Sequence, residues 1–142
     1  MTSTPLYTAS ATAWGGREGR VATDDERLDV QLSVPKELGG DGGPGTNPEQ
    51  LLASGFSACF HNALKLVARR AKVDVPDSAV SVSIAMVPAD IGFDLSARIV
   101  VEAHGVDRAV LERLVDTAHQ VCPFSRATRD GMTHEIVILD EQ

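Results

Sequence analysis

The sequence predicts an α+β fold in which helices pack on a mostly antiparallel sheet. Residues 78–88 and 92–105 alternate apolar and polar side chains with period two, which is typical of strands with one buried face. Residues 107–121 repeat apolar side chains at helical spacing, and residues 48–72 are apolar around most of a helical circumference. The length of 142 residues fits one domain, which we expect to span residues 1–142.

The N-terminal part of the chain predicts three strands. Residues 6–14 form the first, and the glycines of the next stretch, GGREG, supply the positive φ angles of a hairpin turn. The chain returns as a second strand and turns at Asp24 and Asp25. The third strand shows period two from Leu28 to Val34.

A glycine-rich loop, KELGGDGGPGTNPEQ, follows and leads into the longest predicted helix. The loop lacks the Gly-Lys-Ser/Thr of a phosphate-binding loop, so it is either a mobile lid or a tight packing turn. Asn47 suits the N-cap of the helix, Pro48 its first position and Gln50 the closing position of a capping box. We expect this helix to run to about Lys72 and to be central in the fold.

The remaining elements give the order β-β-β-α-β-β-α-β. The strands at 78–88 and 92–105 are joined by a short turn, and a last strand covers residues 132–139. Because a residue before proline avoids helical geometry, Cys122 ends the helix at 107–121 and caps a short one that starts at Pro123.

Composition excludes several classes of function. The net charge is −7, no cluster of basic residues is present, and the aromatic residues number one Trp, one Tyr and four Phe, so nucleic-acid binding is not expected. No apolar run approaches the roughly 20 residues of a membrane span, and the N-terminus lacks signal-peptide features. We therefore expect a cytoplasmic protein without a membrane partner. In that compartment two cysteines are inert, metal-bound or redox-active rather than a structural disulfide.

The first cysteine, Cys59, lies in the middle of the long apolar helix. At 100° per residue, His61 points about 200° away from it, so the two residues can neither form a catalytic dyad nor grip one metal ion. The face of Cys59 is apolar and includes Leu52 and Phe56, which predicts a pocket for alkyl or acyl chains. Burial raises the pKa of a thiol, so an active Cys59 requires a positive partner.

Candidate partners lie before the helix. Arg17 and Arg20 on the glycine hairpin are both suitable, although either also fits a solvated turn. Glu49 stands in the first turn of the helix, where a carboxylate is favourable against the helix dipole without any further role. These alternatives stay open at the level of residue chemistry.

The second cysteine, Cys122, lies at a helix N-terminus, where the thiolate form is favoured. His119 precedes it by three residues, and this His-x-x-Cys spacing is weak support for a metal site. Residue chemistry alone leaves a redox pair and two inert cysteines as the main interpretations.

Three stretches together resemble the organic hydroperoxide resistance (Ohr) family of the Ohr/OsmC superfamily: GGREGR, ELGGDGGPGTNPEQLLASGFSACF and AHQVCPFSRATR. The resemblance covers essentially the whole chain, in order. It implies an Ohr/OsmC-like fold, an intertwined homodimer and a thiol peroxidase that reduces alkyl or fatty-acid hydroperoxides. It also implies no metal and no bound cofactor, with dihydrolipoamide or a lipoylated protein as the reductant.

Carried over residue by residue, the resemblance makes Cys59 the peroxidatic and Cys122 the resolving cysteine. Arg17 matches the catalytic arginine of the family and Glu49 its glutamate partner. Trp14 and His61 are less usual at their positions. Two alternatives are kept: a member of the OsmC-type branch with other substrates or reductants, and a hydrophobic-ligand binding protein in which Cys59 is inert.

The same matches predict a site shared between two chains. Glu49 and Cys59 are ten residues apart on one predicted helix, which is about 15 Å along its axis and about 80° in angle. Antiparallel pairing of the central helices in a twofold dimer brings Glu49 of one chain to Cys59 of the other. Arg17, if it pairs with Glu49, then also comes from the second chain.

Overall fold

The computed structural model describes residues 3–140, which form six strands and three α-helices, together with two short 3-10 turns. The chain divides after Leu51 into two compact units. Helices pack on sheets, as the predicted α+β class requires, but the strands form two three-stranded sheets rather than one. That residues 1–142 act as a single domain stays a prediction.

The first unit contains an antiparallel sheet of β1 (Ala11–Trp14), β2 (Arg20–Thr23) and β3 (Asp29–Gln31) in that order. β1 is shorter than the predicted strand at 6–14. The pairing stops at Ala11, opposite Thr23, because β2 ends where the chain turns at the two aspartates. The predicted third strand is also shortened to three residues.

The glycine-rich loop is a packed turn. Leu32 forms a parallel bridge with Thr46, so the loop folds back along the end of β3. A Cβ at Gly40 would overlap the carbonyl oxygen of Val34, so only glycine permits this approach. Of the two predicted interpretations, these contacts favour the packing turn over the mobile lid.

The long helix α1 spans Pro48–Arg70. Its N-cap is Asn47 as predicted, because the side chain of Asn47 accepts a hydrogen bond from the Gln50 amide at 2.8 Å. The helix ends two residues before the predicted Lys72, whose left-handed φ of 59° is incompatible with continuation. By length and composition α1 is apolar enough to cross a membrane, contrary to the expectation from the sequence. Six of its residues, including Phe56 and Phe60, lie in the apolar core.

The second unit contains a sheet of β4 (Asp77–Pro88), β5 (Phe93–His104) and β6 (Met132–Ile138). β4 and β5 form a long antiparallel hairpin, whereas β6 runs parallel to β5. A parallel neighbour needs a long crossover, and α2 (Arg108–Val121) with α3 (Pro123–Thr128) provides it. The buried face of α1 packs with β5 and α2 in one apolar core.

Candidate functional site

The two cysteines meet inside the second unit. Both are reduced, and their Sγ atoms are 3.7 Å apart although the residues are 63 positions apart in the chain. Cys122 is fully buried, whereas Cys59 keeps part of its surface exposed. The prediction that Cys59 is buried in its helix is wrong, since Cys59 is half-buried and it is Cys122 that is enclosed. Since only Cys59 is accessible, it is the thiol that a solute can reach first.

Cys122 is positioned by the proline that follows it. Its backbone is extended, with φ −61° and ψ 122°, and it caps α3 as the sequence predicts. Its amide donates to the Ala118 carbonyl at 2.8 Å and closes α2, while its carbonyl accepts from the Arg126 amide at 3.0 Å and opens α3. The thiol is thereby held at a rigid corner between two helices.

The surroundings of Cys59 within the chain disfavour its thiolate. Burial is the main effect and raises the pKa of the Cys59 thiol above its ordinary value of 9.0, and the neighbouring Cys122 raises the same pKa further. The backbone N–H of Phe124, in the first turn of α3, donates to Cys59 and acts in the opposite direction. Activation of Cys59 therefore calls for a positive group beyond these neighbours.

A bidentate ion pair forms within the first unit. The guanidinium of Arg17 donates to both carboxylate oxygens of Glu49, at 2.9 Å and 2.6 Å. The hydrogen bonds from Arg17 hold the pKa of the Glu49 carboxyl below its ordinary value of 4.5 and raise the pKa of Arg17. The Arg17 side chain remains 39% exposed, so its guanidinium has surface left for a further anion.

The glycines of the hairpin fix the place of Arg17. It lies in a 3-10 turn, Gly16–Glu18, between β1 and β2. A Cβ at Gly19 would overlap the carbonyl oxygen of Trp14, so the turn closes only with glycine there. The alternative candidate, Arg20, is engaged elsewhere: it pairs with Asp29 at 2.6 and 2.7 Å and lies over the Trp14 ring.

Two of the histidines bond to serines. His61 Nε2 lies 2.9 Å from Ser78 Oγ, and His119 Nδ1 lies 3.0 Å from Ser125 Oγ. The nitrogen of His119 that faces Ser125 is therefore occupied. Across residues 3–140 no group of three or more His, Cys, Asp or Glu side chains is arranged to hold a metal ion.

The predicted apolar pocket is only partly present in the chain. Phe56 is fully buried against the ring of Phe124, with ring centroids 5.7 Å apart, so it does not line an open surface. Leu52, on the face of α1 that also carries Cys59, is half-buried. A separate apolar hollow of about 560 Å³ lies between the C-terminal end of α1 and α2, and its lining includes Val67, Val110 and Leu114 but not Cys59.

Sequence reasoning missed the supports behind the thiols. The bond of the Phe124 amide to Cys59 and that of the Ser125 hydroxyl to His119 were not predicted. A helix start at Pro123 does predict free amides in that turn. Nothing in the spacing of the sequence relates Thr128 to His134, whose side chains hydrogen-bond at 2.7 Å.

Comparisons with known proteins agree on one family. The model of the OsmC-like protein family matches residues 39–137. An organic hydroperoxide resistance protein of Xanthomonas axonopodis pv. citri is 54% identical over 130 residues, covering 89% of this chain and 90% of the relative. The protein OhrA of Bacillus subtilis, with the same description, is 43% identical over 132 residues, 89% of this chain and 91% of the relative. A crystal structure of an organic hydroperoxide resistance protein from Legionella pneumophila superimposes with a TM-score of 0.91 at 37% identity, covering 96% of this chain and all of that one.

Proposed function

The chain belongs to the organic hydroperoxide resistance (Ohr) family of OsmC-like proteins, and on this premise we propose that it is a cysteine-based peroxidase of organic hydroperoxides. The observation that carries the proposal is the pair of reduced thiols 3.7 Å apart, one accessible and one buried. Two inert core cysteines have no need to meet across 63 positions of sequence. An accessible thiol backed by a second one can react with an oxidant and then close a disulfide.

The first chemical step takes place at Cys59. Its thiolate attacks one oxygen of the hydroperoxide, the O–O bond breaks, and the remaining oxygen leaves as an alkoxide that takes up a proton to become the alcohol. Cys59 is oxidised to a sulfenic acid and the hydroperoxide is reduced by the same two electrons. A positive group beside the departing oxygen stabilises this step.

The second step uses Cys122. Its sulfur attacks the sulfenic sulfur of Cys59, the S–O bond breaks, and the hydroxyl leaves as water with the proton of the Cys122 thiol. A dithiol then reopens the Cys59–Cys122 disulfide by exchange. We take a dihydrolipoyl group, on dihydrolipoamide or on a lipoylated protein, as that reductant.

Arg17 and Glu49 complete the site in this proposal. The guanidinium stabilises the Cys59 thiolate and the charge that develops on the departing oxygen, and Glu49 aims it through two hydrogen bonds. The half-exposed Arg17 supplies the positive group that the raised pKa of Cys59 calls for.

We further propose that the site is shared between the two chains of a homodimer. α1 runs from Pro48 to Arg70 as one helix, so about 15 Å of helix axis lies between Glu49 and Cys59. Arg17 and Glu49 pair within one chain, so they act together on Cys59 of the partner subunit. The intertwined homodimer of the resemblance is the assembly that meets this requirement.

Substrate and location follow from the same proposal. Leu52 and other apolar groups around Cys59 favour alkyl or fatty-acid hydroperoxides over hydrogen peroxide, since each buried methylene adds about 0.8 kcal/mol to binding. The dithiol chemistry fits the reducing cytoplasm, with no nucleic acid or membrane as partner.

A peroxidase assay tests the proposal directly. The chain is mixed with cumene hydroperoxide and dihydrolipoamide, and the rate of peroxide consumption is measured. Two comparison assays replace cumene hydroperoxide by hydrogen peroxide, or dihydrolipoamide by glutathione. Catalytic turnover of the organic peroxide with the dihydrolipoyl dithiol is expected. A Cys59 that stays reduced in excess cumene hydroperoxide would leave the hydrophobic-ligand binding protein as the better account, and turnover only with other reductants would favour the OsmC-type branch.

A further inference from the structure

A hydrogen bond bridges the turn that carries Cys122. His119 Nδ1 and Ser125 Oγ are 3.0 Å apart, and each residue lies three positions from Cys122, one in α2 and the other in α3. Ser125 is fully buried, and it is the one buried polar side chain within residues 3–140. A buried hydroxyl without a partner is costly, so its bond to His119 is a strong constraint on the turn.

The backbone of His119 gives a second link to the same segment. Its carbonyl oxygen, near the C-terminus of α2, accepts a hydrogen bond from the Arg129 guanidinium at 2.7 Å. Arg129 directly follows α3. His119 thus bonds through its ring to Ser125, inside α3, and through its carbonyl to Arg129, the residue that follows α3.

A third link ties α3 to the sheet. Thr128 Oγ1 donates to the Phe124 carbonyl at 2.7 Å and lies 2.7 Å from Nε2 of His134 on β6. Because a hydroxyl has a single proton, and Phe124 receives it, His134 Nε2 must be the donor to Thr128. The proton of His134 is therefore assigned to Nε2.

The imidazole rings of His119 and His134 pack against each other. Their rings meet edge to face, with centroids 5.2 Å apart and planes at 85°, and His134 also meets the ring of Phe56. Within residues 3–140 the ring nitrogens of these histidines bond to Ser125 and Thr128 and not to a cysteine sulfur. The polar bonds of these histidines reach the thiols through α3, whereas their rings also pack on Phe56 and Phe60 of α1, the helix that carries Cys59.

We propose that His119 and His134 are positioning residues of the redox step, which hold α3 where Cys122 Sγ and the Phe124 amide both face Cys59 Sγ. This inference deepens the proposed peroxidase function and rests on it for the identity of the oxidant. In closure, the separation of the sulfurs falls from 3.7 Å to about 2.05 Å. A firmly held corner keeps Cys122 within this short reach when the sulfenic acid of Cys59 appears.

The positioning role is tested by measuring the rate of Cys59–Cys122 disulfide formation with rapid-quench mass spectrometry. Each protein receives one equivalent of cumene hydroperoxide or, separately, diamide, a thiol oxidant that joins the two sulfurs without peroxide while it is itself reduced to the hydrazine. Ser125→Ala and His119→Phe are expected to close the disulfide about tenfold more slowly, the factor that one lost hydrogen bond of this kind produces. With peroxide, Cys59 sulfenic acid accumulates in both variants.

Two matched variants serve as controls. His119→Asn keeps a polar atom near the position of Nδ1 and is expected to close at nearly the wild-type rate, which a purely structural loss of the ring would not allow. Thr117→Ala removes a hydroxyl from the same helix whose recorded bond goes to a carbonyl of its own helix, and it is expected to behave as wild type.

The outcomes separate this inference from the function on which it rests. Wild-type closure with diamide in both Ser125→Ala and His119→Phe would overturn the positioning role, as would equal slowing in Thr117→Ala. If the wild-type chain forms the disulfide with diamide but does not react with organic peroxide, the proposed function is overturned. The positioning role is then tested by the diamide rates of the variants alone. If Ser125→Ala does not fold by circular dichroism, the contrast between His119→Phe and His119→Asn decides.

Discussion

Arg17 holds both carboxylate oxygens of Glu49 from a turn 32 residues earlier in the chain. This fork-on-fork geometry fixes the plane of the guanidinium as well as its charge. A lysine in the same place would supply the charge alone. Replacing Arg17 by lysine therefore keeps the positive charge and removes the fixed guanidinium plane, so the effect of the plane can be measured separately from that of the charge.

The variant Arg17→Lys is expected to lower kcat/KM for organic peroxide by about 10- to 100-fold, the loss that corresponds to about 1.5–3 kcal/mol for hydrogen bonds to a charged group. Arg20→Lys is the matched control, because Arg20 lies on the same sheet with its own bidentate partner, Asp29. Steady-state assays of both variants make the comparison. Equal losses in the two would assign the effect to the stability of the sheet.

The serine variants of the two cysteines are expected to lose peroxidase activity at different steps. Cys59→Ser abolishes even the first turnover, whereas Cys122→Ser consumes about one peroxide per subunit and then stalls as a sulfenic acid. Peroxide stoichiometry and trapping of the sulfenic acid with dimedone report the difference. Sustained turnover by Cys59→Ser would contradict the assignment of Cys59 as the attacking thiol.

Much of this arrangement was accessible from the sequence, for identifiable reasons. The N-cap Asn47 and the corner at Cys122 follow from local rules for amides and prolines, so both were predicted correctly. The division into two sheets and the parallel β6 depend on long-range pairing, which local periodicity does not encode. The prediction that Cys59 is buried was wrong, because the apolar pattern of one helix does not show which of its residues other elements will cover.

Substrate preference should follow apolar surface. Cumene, t-butyl and fatty-acid hydroperoxides are expected to react faster than hydrogen peroxide, because the half-exposed Cys59 shares its helix face with apolar residues such as Leu52, which we expect to bind alkyl chains. A series of kcat/KM values over increasing chain length measures this. Equal efficiency across the series would indicate a generic exposed thiol without an apolar pocket.

Stability of the reduced chain should decline in mild acid. Burial is the main cause that lowers the pKa of His61, His119 and His134 below their ordinary 6.5, with smaller contributions from neighbouring charges such as Lys65 and Arg129. These groups stay neutral in the fold while the unfolded chain takes up protons. The stability they contribute is therefore full above about pH 6.5 and is lost as pH falls through that value toward their lowered pKa values.

Urea unfolding at pH 7.5, 6.5 and 5.5 measures this dependence. The free energy of unfolding is expected to fall over the lower interval, and His119→Asn should make the fall shallower because one buried imidazole is gone. A free energy of unfolding that rises between pH 6.5 and 5.5 would show that these histidines gain protons on folding, contrary to their burial.

Mixed dimers test whether the site is shared. In a dimer of one Cys59→Ser chain and one Arg17→Ala chain, a shared arrangement joins the intact Arg17 and Glu49 of the first chain to the intact Cys59 of the second. One of the two sites is then complete, and the mixed dimer should show about half the activity of the wild-type dimer. Both parent homodimers lack an essential group at every site, so their own activity sets the baseline. Differently tagged chains, co-expressed and purified through both tags, give the mixed species. If each chain is self-contained, neither site has both groups and the mixed dimer stays at the level of its parents, which would refute the shared site while leaving the chemistry of the two cysteines intact.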